Sequence, residues 1–412
     1  MSPWDSHPHM NQPNAMRPYY TDSTTLDFAA MIESLEDFDG RPAVLLEPGY
    51  FYPTSGGQPH DTGQLRRGDE IARVIDVVER ESDGVALHIL DRPLSPGPVA
   101  ASIDRDRRLD HMRHHTGQHI LSQAFIRVAE AETVGFHMSG QSITIDLDRA
   151  DLSAAEIDRA EALANEVVWA DGPVSVRFVT LAEAANLPLR KTPPGRDGRL
   201  RIVNIEGFDL TACGGTHVAR TGEVGLIRIA RTERRGGMTR VEFLCAGRAL
   251  ADYRAGQDVL RQLGAALTTG AAELPAAVAR LQEENKALRL DLRRREDALL
   301  ALEAAQLLAA AEPASAARLV RRVFVGRSPD EVRRLATALV EAGGVVALLG
   351  LAGERSHLVF ARSADAPGDM GALVKVALAK LGGRGGGSPT LAQGGGPAAD
   401  EAAVAAVLRL EL

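Results

Sequence analysis

Residues 111–125 read HMRHHTGQHILSQAF, and residues 211–220 read TACGGTHVAR. The first stretch lies in a helical pattern that runs from Arg108 to Val128, so His115 and His119, four apart, share one helix face and stand close enough to share a metal. In the second, Cys213 and His217 are again four apart, and the two glycines between them let a short loop bend until thiolate and imidazole converge. Three imidazoles and one thiolate suit tetrahedral zinc best, with other transition metals as the alternative. The register stays open at this point, because His111 and His115 are also four apart and His114 adjoins them. A histidine pair alone reads more readily as the solvent face of an amphipathic helix, and it is the Cys/His pair a hundred residues on that favours a metal. Cys245, in the run Val-Glu-Phe-Leu-Cys, reads as a buried core residue.

Outward from these two stretches the pattern is α+β. Residues 1–18 form a polar tail without periodicity, expected to be disordered. Residues 19–104 hold short β-type runs (43–46, 71–78, 85–90) separated by turn signals, which predicts a β-rich N-terminal subdomain. Residues 105–255 predict an α+β domain around the metal ligands, with strands near 142–147, 174–179, 200–205 and 225–230. A helix is expected over 153–169, opened by the capping box Ser153/Glu156. Residues 256–313 predict a coiled-coil-like helical arm. Leu274, Leu281, Leu288 and Leu302 keep a seven-residue spacing broken at Arg295, Val278, Asn285, Leu292 and Leu299 fill the other seam position, and Pro313 is expected to end the helix. Such a seam serves either a homodimer or an intramolecular arm. Residues 314–412 alternate strands and helices in a compact α/β domain that includes the glycine-rich GGRGGGSPTLAQGGG at 382–396.

The chain has 412 residues and a net charge of −8, with 45% hydrophobic and 25% charged residues, which fits a folded protein and argues against dominant disorder. No apolar run reaches the roughly 18 residues that a membrane helix needs, and no secretory leader pattern opens the chain, so a cytoplasmic location is expected. Two cysteines are too few for a disulfide framework. Only 4% of residues are aromatic, which disfavours base stacking as the main mode of recognition. The acidity is uneven: between Asn186 and Arg248 twelve Lys and Arg face six Asp and Glu, a local surplus of six positive charges able to meet phosphates.

HHTGQHIL (114–121) and CGGTH (213–217), preceded by FYPTSGGQPHDTG (51–63), closely resemble the editing module of alanyl-tRNA synthetases and the free-standing alanyl-tRNA editing proteins of the AlaX family. GGRGGGSPTLAQGGG resembles the glycine-rich end of the C-terminal DHH-associated domain shared by the synthetase and the long AlaX form. The resemblance implies that His115, His119, Cys213 and His217 are the metal ligands and Zn2+ the metal. It implies hydrolysis of the ester of mischarged tRNA(Ala), chiefly Ser-tRNA(Ala) and also Gly-tRNA(Ala). With the chain starting almost directly at the editing module, it implies editing in trans. It draws attention to Gly56, Gly57 and Gln58 as a loop near substrate, where many relatives carry a further glycine and this chain has Ser55. Thr54 or Thr216 is then a hydroxyl able to tell serine from alanine, and Gln141 a polar group near the pocket. His137 reads as a surface or supporting residue. Arg190, Lys191, Arg231, Arg234, Arg235, Arg240 and Arg384 are the candidates for tRNA contact, and the glycine segment is expected to be a loop approaching the tRNA backbone. The competing readings are a non-catalytic tRNA-binding protein with a structural zinc and a zinc hydrolase of small esters or amides.

Overall fold

Inward and outward side chains alternate along six strands that close on themselves: β1 (Asp27–Phe38), β2 (Arg41–Glu47), β3 (Gly63–Arg67), β4 (Glu70–Glu79), β5 (Ala86–Leu90) and β6 (Gly97–Ile103). They form an antiparallel barrel in the order β1-β2-β5-β4-β3-β6, completed by pairing of β1 with β6. Ile32, Val44, Leu46, Leu65, Val74, Val99 and Ile103 fill its interior. This is a computed structural model, and it describes residues 17–140, 142–191, 199–314 and 316–409. The chain divides into two units, one up to Arg261 and one from Gln262.

The first unit continues with α1 (Arg105–Ala129), β7 (Thr133–Met138), β8 (Ile143–Leu147), α2 (Ala154–Trp169), β9 (Val174–Thr180), α3 (Leu181–Ala184), β10 (Arg199–Ile205), β11 (Asp209–Ala212), β12 (Ile227–Arg235), β13 (Met238–Cys245) and most of α4 (Ala246–Leu267), whose last residues belong to the second unit. A four-stranded sheet β12-β13-β8-β7 and a three-stranded sheet β11-β10-β9 result. Met112, Ile120, Leu121 and Phe125 of α1 pack with Ala160, Ala164 and Val168 of α2 and with Ile143, Ile145, Val241 and Phe243 of the larger sheet. Cys245 joins this core, as its sequence context predicts. Ser153 and Glu156 form the expected capping box, each side chain accepting from the other's backbone N–H.

A long helix, α5 (Leu274–Ala309), opens the second unit. After it come β14 (Glu312–Ala314), β15 (Ala317–Val325), α6 (Pro329–Val340), β16 (Val345–Ala352), β17 (Ser356–Arg362), α7 (Met370–Lys380), β18 (Arg384–Gly387), β19 (Leu391–Gly396) and α8 (Glu401–Val407). The sheet runs β14-β15-β16-β17-β19-β18, with only β15 and β16 parallel. Every residue of β16 is buried, as a central strand covered on both faces requires. Leu300 and Ala304 of α5 and Val332, Leu335 and Leu339 of α6 cover one face, and Met370, Val374 and Leu378 of α7 with Val404 and Val407 of α8 cover the other.

Four details depart from the sequence reading. β1 carries several Asp, Glu and Ala residues, poor strand formers, and gave no β signal. The long helix ends at Ala309, with Pro313 already in β14. The divisions placed at 255/256 and 313/314 fall inside α4 and β14. The glycine-rich segment is a paired hairpin, β18 with β19, and not a loop. Its glycines are there for closeness: a Cβ on Gly385 or Gly394 would lie about 2.5 or 2.4 Å from Leu378 Cδ1, the α7 side chain that rests on the hairpin.

Candidate metal centre and flanking surfaces

α1 buries His115 and His119 on one face, and the chain leaving β11 brings Cys213 and His217 to meet them. One donor atom from each of the four residues lies within 4.8 Å of all the others. The Cys213 Sγ stands 3.2 Å from His115 Nε2 and 3.5 Å from His217 Nε2. Zn–N bonds of ~2.0–2.1 Å and a Zn–S bond of ~2.3 Å put nitrogen and sulfur about 3.6 Å apart around a tetrahedral ion, so the spacing fits. The outward nitrogens fit as well. His115 Nδ1 bonds Gln58 Oε1 at 2.8 Å, His119 Nδ1 bonds Asp209 Oδ2 at 3.2 Å, and His217 Nδ1 bonds Thr116 Oγ1 at 3.1 Å. With Nδ1–H donating to each of these oxygens, the Nε2 atoms are left to face one another, the arrangement that orients imidazoles on a metal.

Burial opposes the charged form of each group here. At Cys213 the neighbouring His115 and His119 overcome it and hold the thiol well below its ordinary value. Burial prevails at His217, which is pulled down to about 3. At His119 the Cys213 charge and the Asp209 bond outweigh it, and the imidazole is raised. Burial would likewise raise Asp209, yet its bond to His119 and the charge of Arg190 bring the carboxyl down to about 2. A thiolate and a neutral imidazole are the forms that a metal takes.

The glycines of CGGTH act differently from the sequence expectation. Neither Gly214 nor Gly215 has a positive φ. A Cβ on Gly215 would instead lie 2.1 Å from His115 Cε1, so the imidazole ring packs directly on that backbone. Gly56 and Gly57 do have positive φ, at the centre of a tight turn closed by Ser55 and Gln58. The turn fixes Gln58, fully buried, which accepts from the Thr216 N–H at 3.2 Å and donates to Thr216 Oγ1 at 2.9 Å. Thr54 bonds the His60 ring at 3.1 Å. Gln141 lies outside the described residues, and His137 is exposed.

Asp209 and Thr116 were not singled out in the sequence. Asp209, Thr211 and Cys213 alternate with Leu210 and Ala212, so a polar strand face pointing at the ligands was there to be read. His114, the other member of the doublet, bonds the Asp110 carbonyl through Nδ1 and accepts from the Cys245 N–H through Nε2, a structural role. Arg190 turns inward onto Asp209 at 2.7 Å and is nearly buried, so it braces the carboxylate behind His119. Arg240 pairs with Asp146 through two bonds of 2.7 Å. Lys191, Arg231, Arg234 and Arg235 are exposed, the last three along β12. In the second unit, exposed Arg384 joins Arg327 and Arg355 around a cleft of about 780 Å³ against the glycine hairpin, where buried Ser356 Oγ has no partner among the described residues.

Residues 200–242, from β10 into β13, match the family described as threonyl and alanyl tRNA synthetase second additional domain. The matched stretch includes Cys213 and His217 of the cluster. The chain aligns over 94% of its length, at 36% identity, with the alanine–tRNA ligase of Methanoregula boonei, and over 93%, at 32%, with that of Pyrococcus furiosus. It spans 42% of the length of each. This α+β chain is therefore similar in sequence to these ligases along nearly all of its own length. The C-Ala domain of Aquifex aeolicus alanyl-tRNA synthetase shares 28% identity, covering 24% of this chain and 94% of that one, with a TM-score of 0.22, too low to inform the fold. No helix among the described residues is long and apolar enough to cross a membrane.

Proposed function

We propose that this chain is a trans-editing deacylase of the alanyl-tRNA type, which hydrolyses the ester of mischarged tRNA(Ala), chiefly Ser-tRNA(Ala) and also Gly-tRNA(Ala), in the cytoplasm. The observation that carries the reading is the cluster His115, His119, Cys213 and His217, each imidazole fixed from behind, in a chain related to alanyl-tRNA synthetases. Zinc is the metal we assign; bound there it supplies Lewis-acid polarisation of an ester carbonyl or a water of lowered pKa. The chain's own residues orient and select. Gln58, Asp209 and Thr116 hold the three rings, and Arg190 holds Asp209. Thr216 Oγ1 accepts from Gln58 and keeps its own hydrogen to donate to a substrate hydroxyl. A site that hydrogen-bonds a hydroxyl discriminates strongly against a substrate lacking it, which is how serine is removed and alanine spared. Thr54 is the second hydroxyl for that task. Lys191, Arg231, Arg234 and Arg235 in the first unit and Arg384 in the second meet tRNA phosphates.

Cys213→Ala and His119→Ala should each lose bound zinc, measured by atomic absorption, and lose deacylation of Ser-tRNA(Ala) by at least about a hundredfold. Full activity in a metal-free variant would remove the metal from the account. Four protein ligands close a tetrahedral ion, which favours the second reading, a tRNA-binding protein with a structural zinc. Chelation separates the two: a structural zinc melts the fold on removal, whereas here the circular dichroism spectrum is expected to persist while hydrolysis stops.

A further inference from the structure

Arg201 shares one face of β10 with Val203 and Ile205 and is 6% exposed. Among the described residues it pairs with no carboxylate. Its hydrogen bonds go to two backbone carbonyls, from Nη1 to Cys213 at 2.6 Å and from Nε to Tyr20 at 2.8 Å, and its Nη2 has no partner. A guanidinium cannot shed its proton in a protein, and a charge buried without an opposite one is costly. Burial opposes the charge of Arg201, and the Cys213 thiolate is the first of the groups that favour it.

The same residue takes both polar groups of the Cys213 backbone. The Arg201 carbonyl accepts from the Cys213 N–H at 3.1 Å, while Nη1 donates to the Cys213 carbonyl. That carbonyl lies beyond the pairing of β10 with β11, which ends at Ala212, so the side chain supplies the donor that the sheet does not. Tyr20 carries the hold further. It closes the short 3-10 turn Pro18–Tyr20, its ring centre is 5.2 Å from the Arg201 guanidinium carbon, and its hydroxyl is 3.3 Å from where a Cβ on Gly214 would lie. The hydroxyl accepts from Arg17 Nη1 at 3.0 Å, and Arg17 is bound in turn to Glu79 at 2.6 Å and to the Gly84 carbonyl at 2.7 Å, between β4 and β5 of the barrel. Arg17, Tyr20 and Arg201 thus connect the barrel to a ligand of the cluster.

We propose that Arg201 is a positioning residue of the metal centre, whose fork joins the carbonyls of Cys213 and Tyr20 and holds the thiolate where the three imidazoles converge, with the segment before β1 as its support. The proposal rests on the metal reading of the cluster and adds to it a residue and a segment outside the ligands and the groups that hold their rings. A lysine keeps the charge but lacks the planar fork that serves two carbonyls at once.

The test is metal binding by the full chain, with zinc titrated against a chromophoric chelator and cobalt(II) as the probe of the thiolate. Arg201→Met keeps the length of the side chain without its donors. It should weaken zinc binding by about tenfold or more and reduce the thiolate-to-cobalt charge-transfer band, with the circular dichroism spectrum retained. Arg201→Lys should fall between the two. A loss of stability alone lowers the melting temperature and leaves the cobalt band of the folded protein as it is, so the band separates positioning from packing. Tyr20→Ala is the second variant, at a partly exposed side chain, and should weaken zinc binding by about threefold. Where Arg201→Met does not fold, Tyr20→Ala decides, and wild-type affinity there overturns the proposal. Unchanged affinity and cobalt band in folded Arg201→Met, or wild-type behaviour in Arg201→Lys, overturns it also and leaves the deacylase standing. Arg201-dependent metal binding by a chain that hydrolyses no ester does the reverse, and a wild type that takes up neither metal overturns the proposal at its base.

Discussion

Gly215 shows how much of the site rests on what is missing from a residue. The His115 ring occupies the space a side chain would take, whereas a Cβ on Gly214 would approach nothing nearer than the Tyr20 hydroxyl at 3.3 Å. The two glycines are neighbours of identical chemistry with different duties. Gly215→Ala should displace His115 and lower metal affinity by about tenfold or more, while Gly214→Ala should cost far less. Zinc retention against a graded chelator series measures both, and equal retention by the two variants would contradict this account of the loop. At this scale the cluster of His115, His119, Cys213 and His217 was legible in part: 11 His and 2 Cys make its residue types stand out, while the choice among the neighbouring histidines came from the family resemblance. Asp209 and Arg190 were not, because among 55 acidic and 47 basic residues nothing in composition marks the pair that turns inward.

Elements were legible where periodicity and end signals agreed. α2 announced itself by Ser153 and Glu156, and α1 by the spacing of its histidines and apolar residues. The hairpin of β18 and β19 was hidden because glycine carries no strand propensity; only the packing of α7 against it reveals why side chains are excluded. α5 is the intermediate case. Its heptads predict a helix and the helix is there, yet Leu281, Leu288, Leu292, Leu299 and Leu302 are all more than half exposed. The residues it buries toward α6, Leu300 and Ala304, lie off the seam. A heptad pattern states that a helix has an apolar stripe without stating which surface covers it. We propose that a second copy of this chain covers the seam. Sedimentation should then show a dimer that becomes a monomer in the double variant Leu288→Glu, Leu292→Glu, with the circular dichroism spectrum of the folded chain retained since both side chains are exposed in the single chain. A monomeric wild type at every concentration would remove the dimer from the account.

On the scale of the whole molecule, the charge distribution explains how a chain of net charge −8 can bind an anion. Positive charge is concentrated where β12 exposes Arg231, Arg234 and Arg235, and again at the Arg384 cleft of the second unit. Neutralising Arg234 and Arg235 together should weaken tRNA binding and flatten its dependence on log salt by about 2, as filter binding between 50 and 200 mM salt would record. An unchanged slope would place the contact elsewhere. The relation to alanine–tRNA ligases runs along nearly the whole chain, but the chain spans 42% of their length, so what it does with tRNA has to be measured on this chain itself. The most direct measurement is the rate at which the zinc-loaded protein hydrolyses Ser-tRNA(Ala), beside Gly-tRNA(Ala) and Ala-tRNA(Ala), with and without chelator. The account predicts rapid, chelator-sensitive loss of serine, slower loss of glycine, and alanine spared. No hydrolysis of any ester by a protein that binds tRNA and holds its full zinc would contradict it.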